Sequence, residues 1–453
     1  MIVKNESALL DRCLASIREA ADEIVVADTG STDATAAIAR KWGAKVVSAP
    51  WQDDFSAARN SSIEHATGSW ILWLDADDVV PSTSLPVINR LKKTPPDRVY
   101  GFIVRNERPG GTGTEFNQAR MFPNRRELRF ERRIHEQIMP SALRIGMQLE
   151  QCEAVVEHHG YVEPGQVKQK AERNVRLLLQ ENANRQPDPV TAVEIADSCT
   201  LMENEQEASR WYRYVMELPG AENANPVLVA HAGYGLGVIE NKNGNFSAAL
   251  GYFRKALKLT PWRTDVLYSM AVAAEGEGDT AGAVELLRKI FTVTPQAGQV
   301  GVDFRSAVIK AYLRLGRLLV ELERFDEAVS LAHDAVSAVP QRPEIHSMAG
   351  KILLKTGSLM DALHAFEKSI QLHREGNTEA FVGLCIIYRR AGREEMVAET
   401  LRAIEPLLGS DCRYHIARRL LTGEFDPATL PPEEDREYQE ECANLRRGFF
   451  GLL

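Results

Sequence analysis

The sequence predicts an α/β domain with a largely parallel sheet at its N-terminal end, followed by an all-α solenoid of repeated helix pairs. Short apolar runs that each end on an acidic or glycine-bearing turn carry the first expectation, and paired amphipathic stretches from about residue 189 onward, punctuated by regularly spaced prolines, carry the second. A chain of 453 residues also exceeds what one hydrophobic core serves, so two units of different architecture are in keeping with its length.

Residues 1–163 hold the strand-like runs. Ile24-Val25-Val26-Ala27 ends at Asp28-Thr29-Gly30, Lys45-Val46-Val47 is short and β-branched, and Trp70-Ile71-Leu72-Trp73-Leu74 ends at Asp75. Continuous apolar runs are the mark of strands buried on both faces, and alternation with helical stretches such as Thr35 to Trp42 predicts parallel pairing. Met1-Ile2-Val3 reads as the middle of a strand, so the chain is expected to start a few residues inside its first one. Ligands of open α/β sheets bind beyond the carboxyl ends of the strands. Asp28 and Asp75 fall there.

Residues 164–188 read as a linking helix, Gln166 to Asn184, with Val175, Leu178 and Leu179 on its apolar face. From 189 to 409 the helix pairs repeat. Leu236, Gly237, Ala249, Phe253, Ala256 and Pro261 occupy the positions at which a tetratricopeptide repeat needs a small residue for close helix approach, an aromatic plug and a terminal proline. The register recurs with Ala283 and Pro295, with Leu315, Gly316, Ala328, Ala335 and Pro340, and with Gly350, Ala362 and Phe366. Pro261 and Pro295 stand one 34-residue period apart, whereas the step to Pro340 is longer by 11, which predicts an insertion around Gln296 to Arg305. Residues 410–453, with a helical pattern at Tyr414 to Leu421, are expected to cap the array.

Composition narrows the classes of function. With 54 Lys+Arg against 63 Asp+Glu the formal net charge is -9, which opposes wholesale binding to nucleic acid or to an anionic membrane surface. Cys13, Cys152, Cys199, Cys385, Cys412 and Cys442 lack the paired spacing of a thiolate metal site or a disulfide framework, and read as buried thiols in a reducing compartment. No run reaches the length of a membrane span and no basic-then-apolar leader follows Met1, so a cytoplasmic location is expected.

The string Leu74-Asp75-Ala76-Asp77-Asp78 is the most informative. Acids at alternate positions after an apolar strand set Asp75 and Asp77 on one side, a fitting holder for a hard divalent cation that bridges two phosphates. A strand-ending turn with a helix cap is the plain alternative. In Val26 to Thr35, Asp33 is expected to cap the next helix and Asp28 to accept a hydrogen bond from a base or ribose hydroxyl. Within Trp51 to Asn60, Arg59 offers a planar donor fork for a pyrimidine ring or phosphate, with a solvated arginine as the alternative. Arg120 and the cluster Arg125, Arg126, Arg129, Arg132 and Arg133 read either as a diphosphate-facing or acceptor-facing group or as a solvated face.

Taken together, Ile2-Val3-Lys4-Asn5-Glu6, Ala27 to Asp33, Asp54-Phe55 with Ala58-Arg59-Asn60, and Leu74-Asp75-Ala76-Asp77 resemble the family-2 glycosyltransferases of GT-A fold, in particular bacterial members with tetratricopeptide repeats behind the catalytic domain. The resemblance covers residues 1–163 as a GT-A-like nucleotide-sugar-binding domain, plus the repeats. It implies a nucleotide-sugar donor, a UDP-sugar, with Mn²⁺ or Mg²⁺ as cofactor and a hexosyl or N-acetylhexosaminyl group transferred by inverting displacement. Glu6, Asp28 and Arg59 then hold the nucleoside, and Asp75 and Asp77 the metal and diphosphate. Glu136, in Arg133-Ile134-His135-Glu136-Gln137, stands where such enzymes carry the base, and an ordinary capping pair with His135 is its alternative. The Gln-x-x-Arg-Trp string of processive members is absent, which argues against a polysaccharide synthase.

His158 is preferred to His159 as a further metal ligand because it aligns with a recurrent His-x-Gly-Tyr string, with a partly buried turn as the alternative. The repeats suggest a protein or peptide acceptor. The segment Pro109 to Gly113 is expected to close over the donor. Two other readings stay open: a scaffold whose catalytic domain has degenerated, and a nucleotidyltransferase, for which Lys4-Asn5-Glu6-Ser7 lacks the needed glycine-rich loop. A homodimer is neither required nor excluded.

Overall fold

A computed structural model describes residues 1–106, 115–160, 164–183, 186–294, 304–375 and 377–408, together with 418, 421 and 422. The described residues fall into two compact units, one within Met1–Glu277 and Val293–Ser306, the other within Gly278–Thr292 and Ala307–Leu453. The expected covering loop at 109–113, the insertion expected around Gln296 to Arg305 except for the first two residues of a helix that starts at Phe304, and most of the capping tail lie outside the described residues. Among the described residues, no helix is long and apolar enough to cross a membrane.

The first unit opens with β1 (Ile2–Val3), α1 (Leu10–Ile17), β2 (Val25–Asp28), α2 (Thr35–Lys41) and β3 (Lys45–Ser48), and the three strands pair in parallel in the order β1-β2-β3. Helix α1 buries Leu10, Cys13, Leu14 and Ile17, the one-sided stripe that a 3.6-residue period produces. Val3, Val26, Leu10, Leu14 and Ala39 close one layer of core between these strands and the helices.

Next come α3 (Phe55–Glu64), β4 (Trp70–Leu72), β5 (Asp78–Val79), α4 (Leu85–Leu91), β6 (Val99–Asn106), β7 (Glu115–Pro123), α5 (Met139–Arg144) and β8 (Leu149–His158). The second sheet has the order β4-β7-β6-β8-β5, and only β6 and β8 in it run parallel. The expectation of a largely parallel sheet therefore holds for the first three strands alone. Apolar runs report burial on both faces but not direction, and here β6 and β7 pair antiparallel. One ladder matters for the chemistry: β5 pairs with β8 so that Asp78 lies opposite His158.

Helices α6 (Pro164–Glu181), α7 (Pro189–Leu201), α8 (Glu205–Glu217), α9 (Ala221–Ala224), α10 (Pro226–Lys242), α11 (Phe246–Leu259) and α12 (Thr264–Gly276) complete the first unit. In α6, Leu177 and Leu178 are both fully buried, whereas Leu179 is 44% exposed, which corrects the apolar face expected for it. Ala171, Leu178 and Asn182 mark the true inner line, and Leu179 lies one residue, about a quarter-turn, past it.

The second unit holds α13 (Thr280–Ile290), most of α14 (Phe304–Glu321), α15 (Phe325–Ala338), α16 (Pro343–Lys355), α17 (Leu359–Leu372), α18 (Thr378–Arg390) and α19 (Glu394–Leu408). The repeat signature now has a steric cause. A Cβ on Gly237 would stand 2.4 Å from the ring of Phe253, and one on Gly350 would stand 2.7 Å from that of Phe366; both rings are fully buried. Gly237→Ala is expected to cost roughly 1–3 kcal/mol by overpacking. Urea unfolding of the whole chain checks this, and an unchanged midpoint would contradict it.

Candidate active site

The turn after β4 gathers three carboxylates. Asp78 is fully buried, and its Oδ2 accepts from the backbone N–H of Asp75 at 2.8 Å and from Arg120 Nη1 at 2.7 Å. Arg120 is itself buried, with its guanidinium carbon 3.9 Å from the centre of the Trp73 ring. It neutralises Asp78 and faces neither the cavity described below nor solvent, so the diphosphate-facing reading of Arg120 does not hold. Asp78 is a residue for which the sequence alone suggests no role. Its signal was the third carboxylate of the string, since a buried acid needs a cation.

Opposite it, His158 sets Nδ1 2.9 Å from Asp78 Oδ1 and 3.4 Å from Asp77 Oδ1. Burial alone would lower the imidazole pKa, but the Asp78 hydrogen bond and the charges of Asp77, Asp78 and Asp75 together raise it. A carboxylate on one ring nitrogen fixes the orientation of the other, the usual support of a metal-binding histidine. A side chain on Gly160 would reach to 2.9 Å from His158 Nε2 and 3.2 Å from Asp77 Oδ2, so the bare glycine keeps that approach open. His159 is directed elsewhere, with Nε2 2.7 Å from Arg12 Nη2.

Single ligand atoms of Asp75, Asp77, Asp78 and His158 lie within 4.8 Å of one another. This donor set suits a divalent cation that accepts oxygen with one imidazole, as Mn²⁺ and Mg²⁺ do. Burial, then the charges of Asp75 and Asp78, raise the pKa of Asp77 against the pull of His158. Glu6 is also raised, by burial first and then by Asp77. For Asp75, burial works in the same direction, but Arg59 and Arg120 outweigh it and hold the carboxyl at about 2.

Arg59 projects from α3, whose first turn is capped by Asp54 accepting from Ala57 N–H at 2.8 Å. Its side chain is 7% exposed; Nε donates to Glu136 Oε1, Nη2 donates to Asp75 Oδ1 at 2.7 Å, and the guanidinium covers the Trp73 ring at 4.2 Å. Two sides of the fork are thus committed to carboxylates. A buried cation in this place is drawn to the nearest acids, so the hold on a nucleoside expected of Arg59 falls to the nitrogen that remains. Its remaining Nη1 is buried without a partner among the described residues.

Asp75, Asp77, His158, Arg59, Glu136 and Glu6 all line one cavity of about 830 Å³. Asp28 does not. Its Oδ1 accepts from the backbone N–H groups of Gly30 at 3.1 Å and Ser31 at 2.8 Å, closing the turn, while its neighbour Thr29 lines the cavity. Asp33 ties Ser7 N–H and Thr35 N–H to one carboxylate; it joins two loops and bonds only the first residue of α2, short of the cap expected of it. Glu136 sits on a loop closed by the reciprocal backbone bonds of Glu131 and Gln137, both 3.0 Å.

Residues 1–148 match the family described as Glycosyl transferase family 2, and residues 234–297 and 313–393 match a tetratricopeptide repeat family. A TPR repeat-containing protein of Synechococcus elongatus is 33% identical over 265 residues, 57% of this chain and 65% of that protein. The SPbeta prophage-derived glycosyltransferase SunS of Bacillus subtilis is 29% identical over 187 residues, 39% of this chain and 43% of its own length. An uncharacterized glycosyltransferase of Rickettsia conorii is 40% identical over 78 residues, 17% of this chain and 27% of that protein. The chain spans less than two thirds of the length of each of these relatives.

Proposed function

We propose that this chain, which carries a family 2 glycosyl transferase domain followed by tetratricopeptide repeats, is a metal-dependent inverting glycosyltransferase that moves a hexosyl or N-acetylhexosaminyl group from a UDP-sugar to a protein or peptide acceptor. The observation that carries the reading is the convergence of Asp75, Asp77 and His158 in one cavity that Glu136 also lines.

Asp77, the free face of Asp75 and Nε2 of His158 are the groups that would hold Mn²⁺ or Mg²⁺, with Asp78 behind the imidazole. When bound, the cation supplies positive charge that offsets charge developing on the departing diphosphate. Glu136 takes the proton of the acceptor nucleophile as that nucleophile bonds to the anomeric carbon and the bond to the diphosphate oxygen breaks. Arg59 serves as orienter of both Glu136 and Asp75, which leaves Nη1 for the nucleoside. Glu6 belongs to the nucleoside end of the cavity, and Asp28 acts one step back by shaping the turn that bears Thr29. The repeats, as stacked helix pairs, provide the surface for an extended acceptor.

Thermal unfolding of the whole chain with UDP-glucose or UDP-N-acetylglucosamine, with and without Mn²⁺, tests the reading. A ligand at a hundred times its Kd adds about 2.7 kcal/mol to apparent stability. The expected result is a rise that needs both sugar nucleotide and metal. Identical midpoints across a panel of nucleotide-sugars, with Mn²⁺ present, would remove the transferase reading.

A further inference from the structure

We infer that Glu194 of α7, acting through Arg132, is a positioning residue for Glu136, so that the first helices behind the sheet domain form part of the catalytic apparatus. The inference rests on the reading of Glu136 as the base.

The loop that bears Glu136 is strained. Arg132 has φ +81° and His135 φ +53°, two non-glycine residues in the left-handed region within four positions. Each such residue is unfavourable in itself and persists only where the surroundings over-determine it. From one side α3 does part of this work. Asn60 exchanges two 2.9 Å hydrogen bonds with the backbone of Phe130, Ser56 Oγ donates to the carbonyl of Arg132, and Phe55 N–H donates to the carbonyl of Arg133 at 2.8 Å.

The other side is held by α6 and α7. Arg132 lays a two-pronged grip on Glu194, Nη1 to Oε1 at 3.0 Å and Nη2 to Oε2 at 2.5 Å, and reaches Thr191 Oγ1 at 3.3 Å. Both side chains are largely removed from solvent, 19% and 16% exposed, so the pair is screened less than a surface bridge. Glu181 of α6 accepts from the backbone N–H of Arg133 at 3.2 Å. Ile134, 4% exposed, is packed in the same core as Leu177, Leu178, Ala192 and Val193. Every residue from Arg132 to Ile134 is thus anchored to a helix, and the next residues are His135 and Glu136. Helices α6 to α12 share a compact unit with the sheets, in keeping with a site that no cut near residue 163 would leave whole.

The whole chain carrying Glu194→Ala tests this, with Arg132→Gly as the second variant, since glycine adopts the positive φ freely but cannot grip Glu194. Amide hydrogen exchange within 131–137 is expected to quicken by about tenfold or more, while exchange in β6 and β8 stays at the wild-type rate. UDP release from UDP-glucose with Mn²⁺ is expected to lose about 10- to 100-fold in kcat with donor KM within about threefold, because a displaced base costs rate more than ground-state binding. Glu205→Ala, which breaks the exposed bridge to Lys242, is the control and leaves both readouts unchanged. Wild-type exchange in 131–137 in both variants overturns the inference whatever the turnover. A loosened loop with undiminished turnover overturns the positioning role of Glu194, while the role of Glu136 as base and the metal side of the transferase reading stand on their own tests.

Discussion

Asp77→Asn is expected to erase the Mn²⁺-dependent affinity of the chain for UDP and, in the same protein, to raise the unfolding midpoint of the metal-free form. Asp77 lies beside Asp75 and Asp78 and, among the described residues, makes no ion pair with an arginine or lysine; His158 Nδ1 stands 3.4 Å from its Oδ1. Its carboxylate is disfavoured by burial and then by its two acidic neighbours. Asparagine keeps the shape and removes the charge. Repulsion within the cluster falls, so the metal-free fold gains stability, the usual direction when a functional residue is held in an unfavourable setting. Changing a residue that merely supports a metal ligand already costs about 10- to 100-fold in metal affinity, so loss of a charged ligand is expected to remove the metal's contribution to UDP binding. Calorimetric titration of UDP with Mn²⁺ measures the first effect and thermal unfolding the second.

The pH dependence carries the same sign. Asp77 and Glu6 hold their protons to higher pH in the folded chain than in the unfolded one. Their contribution to stability is therefore greatest at acidic pH and declines as pH rises through the raised folded values. Asp77→Asn should flatten that decline. Equal pH profiles and equal UDP affinities for variant and wild type would show that Asp77 neither bears strain nor meets metal.

Glu136→Gln is expected to lower the rate of sugar transfer by about 10²- to 10⁴-fold, the range supplied by a positioned general base. Gln retains an oxygen for Arg59 Nε, so the loop and the cavity wall keep their geometry while proton acceptance is lost. UDP affinity with Mn²⁺ should remain within about twofold, since the change touches an interaction made only as the acceptor is deprotonated. Paired measurement of kcat and UDP Kd separates this from a general loss of structure. Transfer that persists at the wild-type rate would assign the proton to another group.

The helical array was legible in the sequence because its determinants are local. Gly237 and Phe253, or Gly350 and Phe366, meet across adjacent helices of one pair, and their spacing repeats along the chain. The acids at the tip of β2 and in the turn beyond β4 were legible too, since an apolar run that ends on aspartate announces itself within a few residues. What no local pattern could say was which of those charges stays available. Arg120 is 42 residues from Asp78 in sequence and removes it from the cavity, and Arg59 is 77 residues from Glu136 and takes hold of it.

By itself, then, the sequence determined an α/β unit followed by helical repeats, the register of those repeats and the turns where the acids gather, but not the mixed strand directions of the second sheet. Only the tertiary structure decided that Asp78 is buried behind His158, that Arg59 serves carboxylates and that Glu194 reaches back 62 residues to Arg132. Periodic burial is set by neighbours along the chain, whereas the pairing of buried charges is set by whichever opposite charge folding brings within a few ångströms.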